Sequence, residues 1–119
     1  MHFFDTYALV EMAKGNPNYQ KFSGCPIHAS LFNKMEFFYS CLLEKTEKGA
    51  IGKMKEAKIN VLEIGDSDII NACNFRLKHR AKKLSYADCI GYTLAKREGL
   101  GFLTGDRQFE GLENVEFVK

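Results

Sequence analysis

The sequence predicts an α/β domain with a mostly parallel sheet of four to five strands and helices on both faces. Three observations predict it. Short apolar, β-prone segments alternate with segments of helical periodicity along the chain, the pattern of strands joined by helical crossovers. The 119 residues leave room for one domain, spanning residues 1–119. The composition is globular, at 45% hydrophobic and 13% aromatic with ten Phe, which excludes a disordered or fibrous chain.

The elements follow in order. His2-Phe3-Phe4 reads as a short buried strand ending at Asp5. From Thr6 to Lys14, residues Ala8, Leu9, Met12 and Ala13 fall on one helical face. Gly15-Asn16-Pro17 stops that helix, and a further helical turn is expected between Asn18 and Phe22. The segment from Cys25 to Ser30 suits a second strand, with Pro26 near its start where a missing N–H matters least. A long helix is expected from about Leu31 to Lys48, closed by Gly49, with a short one from Ile51 to Ala57. Asn60 to Ile64 reads as the third strand. Asp66 or Ser67 caps a helix reaching about Lys82, and Ser85 caps another ending near Glu98 before Gly99. Gly101 to Thr104 and Val115 to Val118 complete the strands.

Several classes fall away at this point. Seventeen Lys and Arg against fifteen Asp and Glu leave a net +2, which names no partner. No apolar run approaches the roughly 20 residues of a membrane helix. The start, Met1-His2-Phe3-Phe4-Asp5, has no basic region and is not expected to be a secretion signal. Cys25, Cys41, Cys73 and Cys89 lie 16, 32 and 16 residues apart, without a CxxC pair or zinc-finger spacing to any of the three His. Four unpaired thiols fit a reducing compartment, so a cytoplasmic protein is expected.

Parallel sheets place their chemistry outside the carboxyl ends of the strands, near the point where strand order reverses. Asp5 follows strand one directly, and Asp106 follows strand four after Thr104-Gly105. Each has a bland reading: Asp5 as a helix cap, Asp106 as part of a turn. Asp88 stands three residues after Ser85, a capping-box spacing. It shares its helix face with Gly91 and Ala95, small residues that let another backbone approach. Glu36 lies amid Phe32, Asn33, Tyr39 and Ser40 on a half-apolar helix face and is, taken alone, a surface charge. Together the four acids can converge at one end of the sheet. Such hard oxygen ligands suit Mg²⁺ or Mn²⁺, not zinc.

Phe3-Phe4-Asp5-Thr6, Met35-Glu36-Phe37, Leu84-Ser85-Tyr86-Ala87-Asp88 and Leu103-Thr104-Gly105-Asp106-Arg107-Gln108-Phe109 resemble the PIN domain, and in order and spacing the VapC-like toxins of toxin–antitoxin pairs. The resemblance implies a divalent-metal-dependent endoribonuclease of single-stranded RNA. It carries the metal-binding and catalytic roles to Asp5, Glu36, Asp88 and Asp106, with Thr104, and after it Thr6, orienting water or a carboxylate. It also implies an antitoxin that covers the site and a homodimer. Two positions depart from the pattern: Tyr7, where many relatives carry Ser or Asn, and Gln108, where many carry a further Asp.

Arg76-Leu77-Lys78-His79-Arg80-Ala81-Lys82-Lys83 holds five Lys or Arg in eight residues. It reads either as a solvated helix end whose cations complement the macrodipole or as a ridge that tracks RNA phosphates, with Arg76, Lys78, Arg80, Lys82 and Arg107 as the contacts. Lys96 and Arg97 can extend it. Tyr7, Tyr39 and Tyr86 can stack unpaired bases or simply pack. Competing readings are an RNA-processing or quality-control PIN nuclease, a catalytically degenerate PIN scaffold, and a Mg²⁺-binding signalling module. The last lacks an Asp after the third strand.

Overall fold

In the structure, a computed structural model describing residues 1–119, the chain runs in order through β1 (His2–Phe4), α1 (Thr6–Lys14), a 3₁₀ helix (Pro17–Phe22), β2 (Ile27–Ala29), α2 (Leu31–Glu44), α3 (Glu47–Ala57), β3 (Asn60–Val61), α4 (Asp66–Lys78), α5 (Tyr86–Arg97), β4 (Gly101–Thr104), a second 3₁₀ turn (Arg107–Phe109) and β5 (Val115–Phe117). The strands form one sheet in the order β3-β2-β1-β4-β5, and every neighbouring pair is parallel. The expected α/β fold is present, with five strands.

Successive strand residues face opposite sides of a sheet, and β1 uses both. Phe3 stacks on Phe102 with ring centroids 5.7 Å apart, and both rings lie against Gly91 of α5. A Cβ at Gly91 would come within 2.9 Å of the Phe3 ring, so α5 sits this close only because the position is glycine. Phe4 faces the other way and meets Phe22 of the first 3₁₀ helix edge-on. Phe3, Phe4, Phe102 and Phe109 are fully buried. Each such side chain contributes roughly 1.5–3 kcal/mol by leaving water, which makes these short strands stable despite few ladder bonds.

Element boundaries differ from the sequence reading where a side chain captures the backbone. The helix expected to reach Lys48 stops at Glu44, because the Thr46 hydroxyl accepts the Gly49 N–H and starts α3 as a separate helix. The helix expected to reach Lys82 ends at Lys78, where the Arg80 guanidinium takes the Leu77 carbonyl. Cys25 and Pro26 lie outside β2, and only Asn60 and Val61 of the predicted third strand pair with it.

The sheet order places β1 between β2 and β4, so the direction of winding reverses there. The carboxyl ends of β1 and β4 therefore open onto the crevice where such folds bind ligands. Asp5 and Asp106 stand at that edge.

Candidate functional site

Asp5 ends β1 and caps α1, its Oδ1 accepting the Ala8 N–H at 2.8 Å. Its Oδ2 accepts the Thr104 hydroxyl, and the Thr104 Oγ1 accepts the Asp106 N–H at 3.0 Å. One hydroxyl thus ties the ends of β1 and β4 together. Asp106 caps the second 3₁₀ turn through the Gln108 N–H at 2.9 Å. Asp88 completes the Ser85 capping box, accepting the Ser85 N–H at 2.9 Å. For Asp5, Asp88 and Asp106 the capping reading and the cleft reading are both true, because a cap occupies one carboxylate oxygen and leaves the side chain facing the edge of the sheet.

Glu36 reaches the same place from α2. The Thr6 hydroxyl donates to its Oε1 at 2.5 Å, and Thr6 Oγ1 accepts from Asn33 Nδ2 at 3.1 Å. Asn33 is buried and locked in a capping box with Ser30. A Ser30–Asn33–Thr6–Glu36 chain thereby fixes the one acid that is not a cap. The sequence reading placed Asn33 beside Glu36 but gave it no role, although Ser30-x-x-Asn33 carries the cap spacing that would have marked one.

Asp5, Thr6, Glu36, Asp88 and Asp106 line one open cleft of about 940 Å³, with Tyr7, Tyr39, Ser85 and Arg107 around them. Lys119, which the sequence reading also missed, closes the list of charges, its ammonium 5.8 Å from the centre of the Tyr7 ring. Gly105 forms part of the wall. A Cβ there would fall 2.1 Å from the Tyr7 ring and 2.6 Å from the Val118 carbonyl oxygen, so nothing larger fits.

The electrostatics of the cleft are one-sided. None of the four acids takes part in any of the molecule's ion pairs. Burial pushes the Asp5 carboxyl up to about 7 against the two hydrogen bonds that favour its ionised form, and the charges of Asp88 and Asp106 add to the rise. Burial also raises Asp88, opposed by Ser85 and reinforced by Asp106 and Glu36. The oxygen-only donor set, with no cation paired to any of the four acids, fits a hard divalent cation. No three His, Cys, Asp or Glu side chains are drawn together as a closed ligand set.

The predicted RNA contacts divide. Arg107 lines the acidic cleft. Arg76, Arg80 and Lys82 line a second, smaller groove with Tyr86, and Lys78 lines neither. Lys96 and Arg97 do not extend the ridge: they pair with Glu113, Asp68 and Glu98 elsewhere on the molecule. Gln108 turns its side chain toward the Lys83 N–H at 3.4 Å, tying the basic loop to the Asp106 loop.

A family model described as the PIN domain matches residues 3–115. No curated protein matches the chain. Among solved structures, VapC20 of Mycobacterium tuberculosis, a sarcin–ricin loop cleaving toxin, superposes with TM-score 0.80 at 12% identity over all of both chains. VapBC2 of Rickettsia felis, solved on a promoter DNA fragment, gives 0.77 at 15% identity, covering 99% of this chain and 98% of that one. A toxin–antitoxin complex from Klebsiella pneumoniae gives 0.74 at 20% identity, covering 98% and 96%.

Proposed function

The chain belongs to the PIN domain family, and from that premise we propose that it is a divalent-metal-dependent endoribonuclease of single-stranded RNA, the toxin of a VapBC-type pair acting in the cytoplasm. One observation carries the proposal: four carboxylates from four different elements share a cleft at the strand-order reversal, and none of them is paired with a cation of the protein's own. Asp5, Glu36, Asp88 and Asp106 would hold Mg²⁺ or Mn²⁺. A bound divalent ion supplies a Lewis acid there, able to acidify water and offset charge on the leaving oxygen. The chain's own residues do the positioning. Thr104 holds Asp5 and the Asp106 backbone in register, and the Asn33–Thr6 link aims Glu36. Arg107 and Lys119 at the rim offer the positive charge that a phosphodiester needs to approach an acidic pocket.

The solved relatives supply the partner in this reading. Exposed Phe32, Met35, Tyr39 and Leu42 repeat at helical spacing along α2 beside the cleft, an apolar stripe suited to an antitoxin segment. A homodimer is proposed from the family likeness. No helix is long and apolar enough to cross a membrane.

The test is cleavage of a labelled RNA panel with Mn²⁺, with EDTA, and by Asp106→Asn, beside an RNA-binding titration. Cleavage should require the ion and be lost in the variant, while RNA affinity changes little. Cleavage surviving both EDTA and the substitution would remove the support for this site. The scaffold reading draws on the carboxylates being tied to caps and not drawn into a ligand set. Unchanged thermal stability in millimolar Mn²⁺, with no cleavage, would favour it.

A further inference from the structure

We propose that the groove lined by Arg76, Arg80, Lys82 and Tyr86 is a nucleotide subsite, in which Tyr86 stacks the base beside the scissile phosphodiester and Arg80 and Lys82 hold its phosphate. The direction of the strand, from this groove into the acidic cleft, rests on the nuclease reading; the binding chemistry of the groove does not.

The groove holds about 320 Å³ and is lined by three cations, Tyr86, Cys73, Leu77 and Leu84, without a carboxylate. This is the small end of ligand-site volumes and suits one nucleotide, not a duplex. Ser85 lines the acidic cleft and Tyr86 the groove, so the two share a wall one residue thick. The cations are held in place by neutral groups. Arg76 Nε donates to the Leu84 carbonyl at 3.2 Å, Arg80 Nη1 to the Leu77 carbonyl at 3.2 Å, and Lys82 Nζ to the Gln108 carbonyl at 3.0 Å. None pairs with an acid, whereas Lys96 and Arg97 do. Their charge is therefore ordered but not neutralised, the state that gains most from a phosphate.

Tyr86 supplies the other half of a nucleotide's chemistry. The Arg76 guanidinium sits 4.3 Å from its ring centre, yet 66% of the residue remains exposed. A tyrosine whose ring is pinned by an arginine and still open to solvent is a prepared stacking platform. Unpaired bases stack on such rings with little regard to sequence, because every base has a π face. The Lys82–Gln108 bond ties the groove to the Asp106 loop, since the Gln108 N–H also donates to the Asp106 carboxylate.

The chain contains no Trp, so Tyr86→Trp places a single tryptophan at the platform, which can be excited beyond the tyrosine band. In EDTA, a short single-stranded RNA should quench it, and the same sequence annealed into a duplex should not. In a separate titration followed by labelled RNA, Tyr86→Ala should weaken binding about 30-fold, the middle of the range for loss of one stacked base, and Tyr86→Phe should restore it. Arg80→Ala with Lys82→Ala should make the salt dependence shallower, by roughly 1.4 in log–log slope for two phosphate contacts on a single strand. Equal quenching by heparin or by poly-glutamate would show a charge effect or an acidic-protein site and overturn the proposal, as would unchanged RNA affinity in Tyr86→Ala. Cleavage that proceeds normally in Tyr86→Ala with unchanged affinity sinks the subsite and spares the nuclease reading. Specific quenching by a protein that never cleaves does the reverse.

Discussion

Asp5 and Asp68 are alike in almost everything except company. Both are buried to about the same degree, at 5% and 4% exposure, and both place a carboxylate on a helix N-terminus. Asp68 accepts the Gly65 N–H and is met by Arg97 at 2.7 Å. Asp5 accepts the Ala8 N–H and is met by a threonine hydroxyl and, further off, by two more acids. The acid that holds the fold has its own cation. The acid at the sheet's carboxyl edge has none, and burial leaves it with a carboxyl pushed up to about 7. An uncompensated buried carboxylate costs stability, and a fold keeps it only where something from outside completes it.

The largest effect that sharpens this contrast is catalytic. With Mn²⁺ present, Asp5→Asn should lower RNA cleavage by roughly 100-fold or more, since even residues that merely orient metal ligands cost about 10–100-fold when lost. Asp68→Asn should leave cleavage near wild type in protein that remains folded. Gel assays of the two variants side by side settle it, and equal losses would erase the distinction.

The next effect is on stability, and its sign differs between the two positions. In EDTA at pH 8, Arg97→Ala should destabilise the protein by roughly 2–3 kcal/mol in urea unfolding. This is below the roughly 3–5 kcal/mol of fully buried pairs because Arg97 is a third exposed. Asp5→Asn should instead stabilise the metal-free protein by more than about 1 kcal/mol, since the neutral amide removes a charge that burial opposes. Millimolar Mn²⁺ should then raise the melting temperature of wild type and Arg97→Ala but not that of Asp5→Asn. Asp5→Asn less stable than wild type in EDTA would mean that its charge is compensated after all.

This contrast also marks how far the sequence could be read. The strand–helix alternation and the positions of Asp5, Asp88 and Asp106 were legible because caps and strand ends are local, and a local signal survives in one dimension. Whether a capped Asp meets an Arg is not local: Asp68 and Arg97 are 29 residues apart, and nothing near either names the other. The same limit hid the link from Asn33 to Thr6, 27 residues away, and Lys119 beside Tyr7. It also led the basic ridge to be extended to Lys96 and Arg97, whose charges are already taken. The break before α3 was misread for a different reason. Leu42, Leu43 and Glu44 continue the helical pattern, and one hydroxyl, that of Thr46, ends it.

The smallest effect is the pH dependence that distinguishes the two acids without any metal. The Asp5 carboxyl titrates near 7 in the folded protein and at 3.8 when unconstrained, so between those values the folded state holds a proton that the unfolded state has released. Stability contributed by this group is complete below about pH 4 and is lost as the pH rises through 7. Asp88, raised in the same direction, adds to the slope. The urea midpoint of wild type in EDTA should therefore fall between pH 5.5 and 7.5. The informative quantity is the difference between wild type and Asp5→Asn, in which the contribution of every other group cancels. That difference should narrow toward pH 5.5, where Asp5 is already protonated in the folded protein. Adding Mn²⁺ should remove the fall in wild type, because a cation in the cleft favours the ionised carboxylates that pH alone disfavours. Parallel profiles for wild type and Asp5→Asn would mean that the Asp5 charge is compensated by a partner within the fold, and the cleft would lose the feature that sets it apart.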